Sequence, residues 1–222
     1  MRNYVTLSAG CLAGLVIASI AIAEPMPSPQ PPTAPLAQAA AASTRPLLSL
    51  EDLPPGFQAL PPTVANQLAQ QFEALSSQLS QAGVKPENFF VYWNPSTFQI
   101  IAGSTGRVED VALFDDSLTS FEDESVREQL FAQAQGQLEG VGPVSVEGYE
   151  YLADMSNVAD KSAGVSVDLL LLNQPFRADI ATFRRGSTGA VTAVIYRAAS
   201  SPEFTLRRLA EAVDGRLPVA AP

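Results

Sequence analysis

Two runs of alternating residues, Phe176–Arg184 and Ala190–Arg197, flank the five-residue stretch Arg185-Gly-Ser-Thr-Gly189. No other feature of the chain restricts its fold as strongly. A connection this short joins antiparallel strands, because a parallel pair needs a crossover of a dozen or more residues. Side chains alternate across a strand, so Phe176, Ala178, Ile180 and Thr182 share one face. Arg177, Asp179, Ala181, Phe183 and Arg185 take the other.

The same logic extends upstream. Asn88–Trp93 and Phe98–Ala102 are dense in aromatic and β-branched residues and read as strands, with Asn94-Pro95-Ser96 as their turn. Val108–Phe114 reads as a third strand, Val144–Leu152 as an alternating one, and Val165–Leu172 as a buried one. Three helices are expected. The first covers about 63–82, where Val64, Leu68, Phe72, Leu75 and Leu79 form one stripe before Gly83. The second covers about 124–139, with Val126, Leu130, Ala134 and Leu138 on one face and Gly140-Val-Gly-Pro143 as its stop. The third covers about 202–214, with Ser201 as cap, Pro202 in the first position and Glu203 suited to the dipole. Phe204, Leu206, Leu209, Ala210 and Val213 make its buried side, and Gly215 closes it. The expected class is α+β: an antiparallel sheet of about six to eight strands covered by about three amphipathic helices.

This domain spans 47–217. Ahead of it, Met1–Ala23 pairs a basic Arg2 with an apolar run and ends in Ala21-Ile22-Ala23 directly before Glu24. That is the pattern of a secretory signal peptide, and it predicts cleavage after Ala23. The alternative is retention as a membrane anchor, since Val5–Ala23 is near the lower length limit for spanning a bilayer. Cys11 is not a lipid-attachment site, because the hydrophobic run follows it. Residues 24–46 hold seven prolines and read as an extended, semi-stiff linker. Residues 218–222 read as an unstructured tail.

Composition removes several kinds of chemistry. The chain has 13 Lys and Arg against 23 Asp and Glu, for a net charge of −10, with no histidine and one cysteine. Without histidine there is no Ser-His-Asp or Cys-His catalysis and no imidazole metal site. One cysteine cannot form an internal disulfide. The acidity argues against nucleic acid as a partner, because phosphate binding needs a basic field. No cofactor is expected. A Ser162–Lys161 dyad is not implied, since neighbours on an extended chain point to opposite sides. The lone Trp93 is expected in the core.

Two charge features are candidate sites. Val108–Glu128 holds eight acids offset by Arg127 alone. Among them Asp115, Asp116, Glu122, Asp123 and Glu124 are the residues that would fold round a hard cation, although they lack the alternating acids and central glycine of an EF-hand. The favoured reading of the stretch is a solvated loop with acids at a helix start, and a metal site there is not expected. The second feature is asymmetry. Residues 24–168 hold 19 acids and 5 bases, a net of −14, whereas 169–222 hold 4 acids and 7 bases, a net of +3. Arg184 and Arg185 at the hairpin, with Arg207 and Arg208 on the last helix, form a pole suited to an acidic partner or anionic headgroup. The alternative is pairing with the acidic half of the same fold. On this reading Arg184 and Arg185 form an exposed tip.

Leu50-Glu-Asp-Leu-Pro-Pro-Gly-Phe57, Asp160-Lys-Ser-Ala-Gly164 and Phe183-Arg-Arg-Gly186 together resemble a diffuse group of exported bacterial domains. The resemblance covers about 47 to 217. In its order of elements the chain is also similar to the PsbP-like extrinsic proteins of photosystem II. The resemblance implies export and an antiparallel α+β core, and it implies no catalytic residue. The expected function is that of an exported, noncatalytic accessory domain that binds a protein or small ligand in the periplasm, thylakoid lumen or cell exterior. Membrane contact is expected only through the leader if it is uncleaved. The alternative is an exported Asp/Glu-dependent hydrolase assisted by a divalent cation.

Overall fold

A computed structural model of the chain describes residues 47–61, 84–138 and 144–218. The segments expected as leader and linker and the helix expected over 63–82 lie outside the described residues. Among the described residues, seven antiparallel strands make one open sheet. They are β1 (Gln58–Ala59), β2 (Val84–Asn94), β3 (Gln99–Val108), β4 (Val144–Tyr151), β5 (Lys161–Leu171), β6 (Gln174–Arg185) and β7 (Thr188–Arg197). Their spatial order is β1-β2-β3-β7-β6-β5-β4. Three α-helices accompany them among the described residues: α1 (Val111–Ser120), α2 (Glu124–Leu138) and α3 (Leu206–Asp214). The α+β class read from the sequence is the class observed.

The expected hairpin is present but longer and tighter. β6 and β7 pair from Phe176↔Arg197 to Arg185↔Thr188, which leaves only Gly186 and Ser187 in the turn. Gly186 sits at φ 57°, a left-handed position that a two-residue turn requires and glycine supplies without strain. β5 and β6 close with another two-residue turn, Leu172-Asn173, both at positive φ. The turn between β2 and β3 has four residues, 95–98. Asn94 Oδ1 fixes it by accepting from the backbone N–H groups of Ser96 and Thr97 at 3.0 and 3.4 Å.

Both faces of the sheet are covered. On one face Phe90, Ile101, Ala181, Phe183, Val194 and Tyr196 pack against Leu206, Leu209, Ala210 and Val213 of α3 and against Leu48, Leu53 and Phe57 of the entry segment. On the other, Val146, Leu169, Ile180 and Ile195 form a second cluster with Phe131 of α2 against it. Phe114 and Leu118 of α1 pack with Val108 and Ala163 beside that cluster.

Two expected elements are corrected. Val108–Phe114 is not a strand. β3 ends at Val108, and Asp110 caps α1 by accepting from Leu113 N at 3.0 Å. The buried pair Phe114 and Leu118 is spaced by four, and a short apolar run alone did not distinguish that period from a strand. The last helix starts at Leu206, not near 202. Its cap is Thr205, whose hydroxyl accepts from Arg208 N. Buried Gln99 holds the preceding segment out of the helix. Its Oε1 accepts from Glu203 N and Phe204 N, and its Nε2 donates to Phe204 O at 2.6 Å. Trp93 is half-buried rather than core, with its indole Nε1 enclosed and unpartnered.

Candidate functional site

Two of the three sequence motifs, 160–164 and 183–186, meet in one structural clamp. Phe183 is wholly buried, and its neighbours Arg184 and Arg185 point to opposite faces of β6, as alternation demands. Arg184 makes a two-pronged pair with Asp115 of α1: Nε to Oδ1 at 2.7 Å and Nη2 to Oδ2 at 2.6 Å. Its Nη1 donates to Gly186 O at 2.6 Å. On the other face Arg185 pairs with Asp214 at the end of α3. Asp160 stands between them, 3.5 Å from Arg184 and 3.7 Å from Arg185, and accepts from Gly186 N at 2.8 Å. The expectation that these arginines form an exposed tip is therefore corrected. Arg184 is 9% exposed, and both guanidiniums lock the hairpin turn to helices on either face. Paired charges close to a turn hold it more rigidly than free ones, and this use leaves little donor capacity for a ligand.

Within the same region, Ser162 Oγ donates to Met155 O at 2.6 Å and accepts from Val158 N, so it is a loop tie and not a nucleophile. Gly164 has no room for a side chain, since a Cβ there would lie 2.6 Å from Met155 Cβ. At the chain's entry Asp52 accepts from Ser49 N and Oγ and pairs with Arg216, which also donates to Leu47 O. Gly56, at φ 102°, lies against Asn94.

The acidic stretch is divided among separate tasks. Asp115 faces Arg184, and Asp116 is exposed. Asp123 Oδ1 accepts from Ser125 N and Oγ at the start of α2, whose first residue is Glu124. Glu122 offers its backbone carbonyl to Arg127. Among the described residues, no group of three or more His, Cys, Asp or Glu is arranged to hold a metal ion. Hydrogen bonds from Arg216 and Arg184 hold the Asp52 and Asp115 carboxyls below the usual range, and those from Ser125 do the same for Asp123.

A polar cluster that the sequence did not reveal lies on the face of β5, β6 and β7. Ser166 Oγ donates to Asp179 Oδ1 at 2.5 Å and accepts from Arg177 Nε at 2.7 Å. Tyr196 donates to Asp179 Oδ2 at 3.0 Å, and Arg177 reaches Glu150 at 2.6 Å and Asp168 at 3.4 Å. Burial, with Asp179 adding to it, pushes the Tyr196 phenol far above its ordinary value. Every member has a protein partner, so the cluster ties strands together. A crevice lined by Phe121, Ala163, Gly164, Val165, Ile180 and Thr182 has room for about one water and not for a substrate.

The expected arginines of α3 also differ from each other. Arg207 pairs with Glu211 at 3.0 Å and donates to Asp154 O. Arg208 is exposed and lies 5.3 Å from the centre of the Phe204 ring, with no carboxylate partner among the described residues. Arg197 was not singled out by sequence. It lies 4.0 Å over the Phe98 ring, exposed and likewise without a carboxylate. Phe98 and Leu172 are themselves 47% and 53% exposed. They stand at the same end of the sheet as Arg197, opposite the Gly186-Ser187 turn. No protein-family model and no curated protein matches the chain.

Proposed function

We propose that the chain is an exported, noncatalytic accessory domain that binds a partner in the cell envelope or a lumen. The kinship to exported α+β domains of PsbP-like order belongs to the same proposal. The observation that carries the binding half is the contrast between the two ends of the sheet. At the Gly186 end, Arg184 and Arg185 are neutralised within the molecule by Asp115, Asp160 and Asp214. At the other end, Phe98 and Leu172 are half-exposed, and Arg197 and Arg208, the latter beside Phe204 whose carbonyl meets Gln99 at the start of β3, are exposed with no carboxylate partner among the described residues. Large apolar groups beside unpaired guanidiniums are the composition of a contact surface. The hydrolase alternative gains no support from Asp52, Asp115 and Asp123, since a general acid needs a raised proton affinity and these are lowered.

Two measurements test the proposal. Mass spectrometry of the protein from its native host should find Glu24 as the first residue. A full-length species that survives carbonate washing in membranes would favour the anchor. For binding, a photo-crosslinking amino acid at position 98 should capture a discrete adduct in host cells, while the same probe at Ser187 should not. Equal labelling from both positions would refute the assignment of a contact end.

A further inference from the structure

Four non-glycine residues among those described have positive φ, and two of them are large, apolar and exposed. Phe98 sits at φ 53° just before β3, and Leu172 at φ 50° in the turn after β5. These are positions where asparagine or glycine is the better local choice. Each residue therefore gives up local stability and exposes apolar surface at once. One such residue is unremarkable, but two at the same end of one sheet, with two uncompensated arginines, call for a common cause.

We infer that this end of the sheet contacts a phospholipid surface, with Phe98 and Leu172 entering the headgroup–acyl boundary and Arg197 and Arg208 donating to lipid phosphates. The inference rests on the reading above that this end binds something, and it names what. The spacing supports it. Phe98 and Leu172 belong to strands three positions apart, about 14 Å laterally. They stand on separate turns, so one pocket cannot take both, whereas a fluid interface needs no preformed complement. Charge complementarity agrees. Arg197 and Arg208 each rest against an aromatic ring, and guanidinium matches phosphate bidentately. Asp115, Asp160 and Asp214 gather at the opposite tip, where they would point away from an anionic surface. Glu203 is the acid near Phe204, and its carboxylate accepts from Asn94 at 3.2 Å.

The test uses the full chain with Cys11→Ser and a single environment-sensitive fluorophore, placed on Gln174→Cys beside Leu172 or on Ser187→Cys at the far tip. Vesicles of equal parts phosphatidylcholine and phosphatidylglycerol are added. Lipid carrying a quencher should dim the probe at 174 and leave that at 187 unchanged, whether or not the leader also inserts. Phe98→Asn and Leu172→Asn should each weaken the response at 174 by about tenfold, the effect of withdrawing one large apolar side chain. Both variants should keep or raise the melting temperature, since they relieve a left-handed apolar position. Equal quenching at 174 and 187, or an unchanged response when Phe98→Asn and Leu172→Asn are combined, overturns the inference. If position 98 crosslinks only to a protein and the probe at 174 ignores lipid, the lipid assignment fails while the binding reading stands. If neither responds, both fail.

Discussion

At the scale of the residue, the most consequential outcome is that Arg184 and Arg185 are both paired within the molecule. Arg184 is almost enclosed and satisfies both oxygens of Asp115. Arg184→Ala leaves the part-buried Asp115 carboxylate without its two-pronged partner. The loss should be about 2 kcal/mol, the range for a hydrogen bond to a charged group. Arg208→Ala, on the exposed side of α3, should change stability by less than about 0.5 kcal/mol. Urea unfolding of the two variants checks the contrast, and equal effects would return Arg184 to the surface. Adjacent arginines on a strand must point to opposite faces, and that much was legible in the sequence. Whether each face holds an acid was not, because Asp115 and Asp214 are 69 and 29 residues from their partners.

At the scale of the element, α2, the β6–β7 hairpin and the centres of the other long strands were readable from periodicity and turn chemistry, whereas α1 and the glycine- and serine-rich half of β3 were not. Its ten residues carry only two buried apolar side chains, Phe114 and Leu118. A run that short is settled by its cap and its neighbours. The start of α3 makes the same point, since Ser201-Pro202-Glu203 has a good local start signal. Gln99, buried in another strand, takes the backbone of Glu203 and Phe204 instead. A distant side chain thereby overrides a local preference. Gln99→Leu should strand three backbone groups and cost about 1–3 kcal/mol. Hydrogen exchange should then quicken at Phe204 and in the first turn of α3, with β6 unaffected. Uniform acceleration would mean that Gln99 holds the whole core and not this joint.

At the scale of the whole molecule, the clamps predict how the protein responds to acid. Asp52 and Asp115 have folded-state proton affinities depressed by Arg216 and Arg184, and Asp123 by Ser125. A depressed carboxylate contributes its stabilisation fully above its unfolded value, about 4. It loses that contribution as pH falls through the lower folded value. Urea midpoints should therefore be nearly level from pH 7 to 5 and fall below about 4. Asp115→Asn should flatten that fall, and a fall as steep as wild type would show that other groups carry it. The sequence by itself determined the antiparallel class and the kinds of chemistry a chain without histidine lacks, and its pattern is all that the expected leader and linker rest on. Those follow from local rules: turn length, strand alternation, proline's missing N–H and composition. Only the tertiary structure decided which charges are consumed and which stand free. An arginine reads the same in sequence whether a carboxylate meets it or water does, and that meeting depends on where the sheet and helices bring distant residues together.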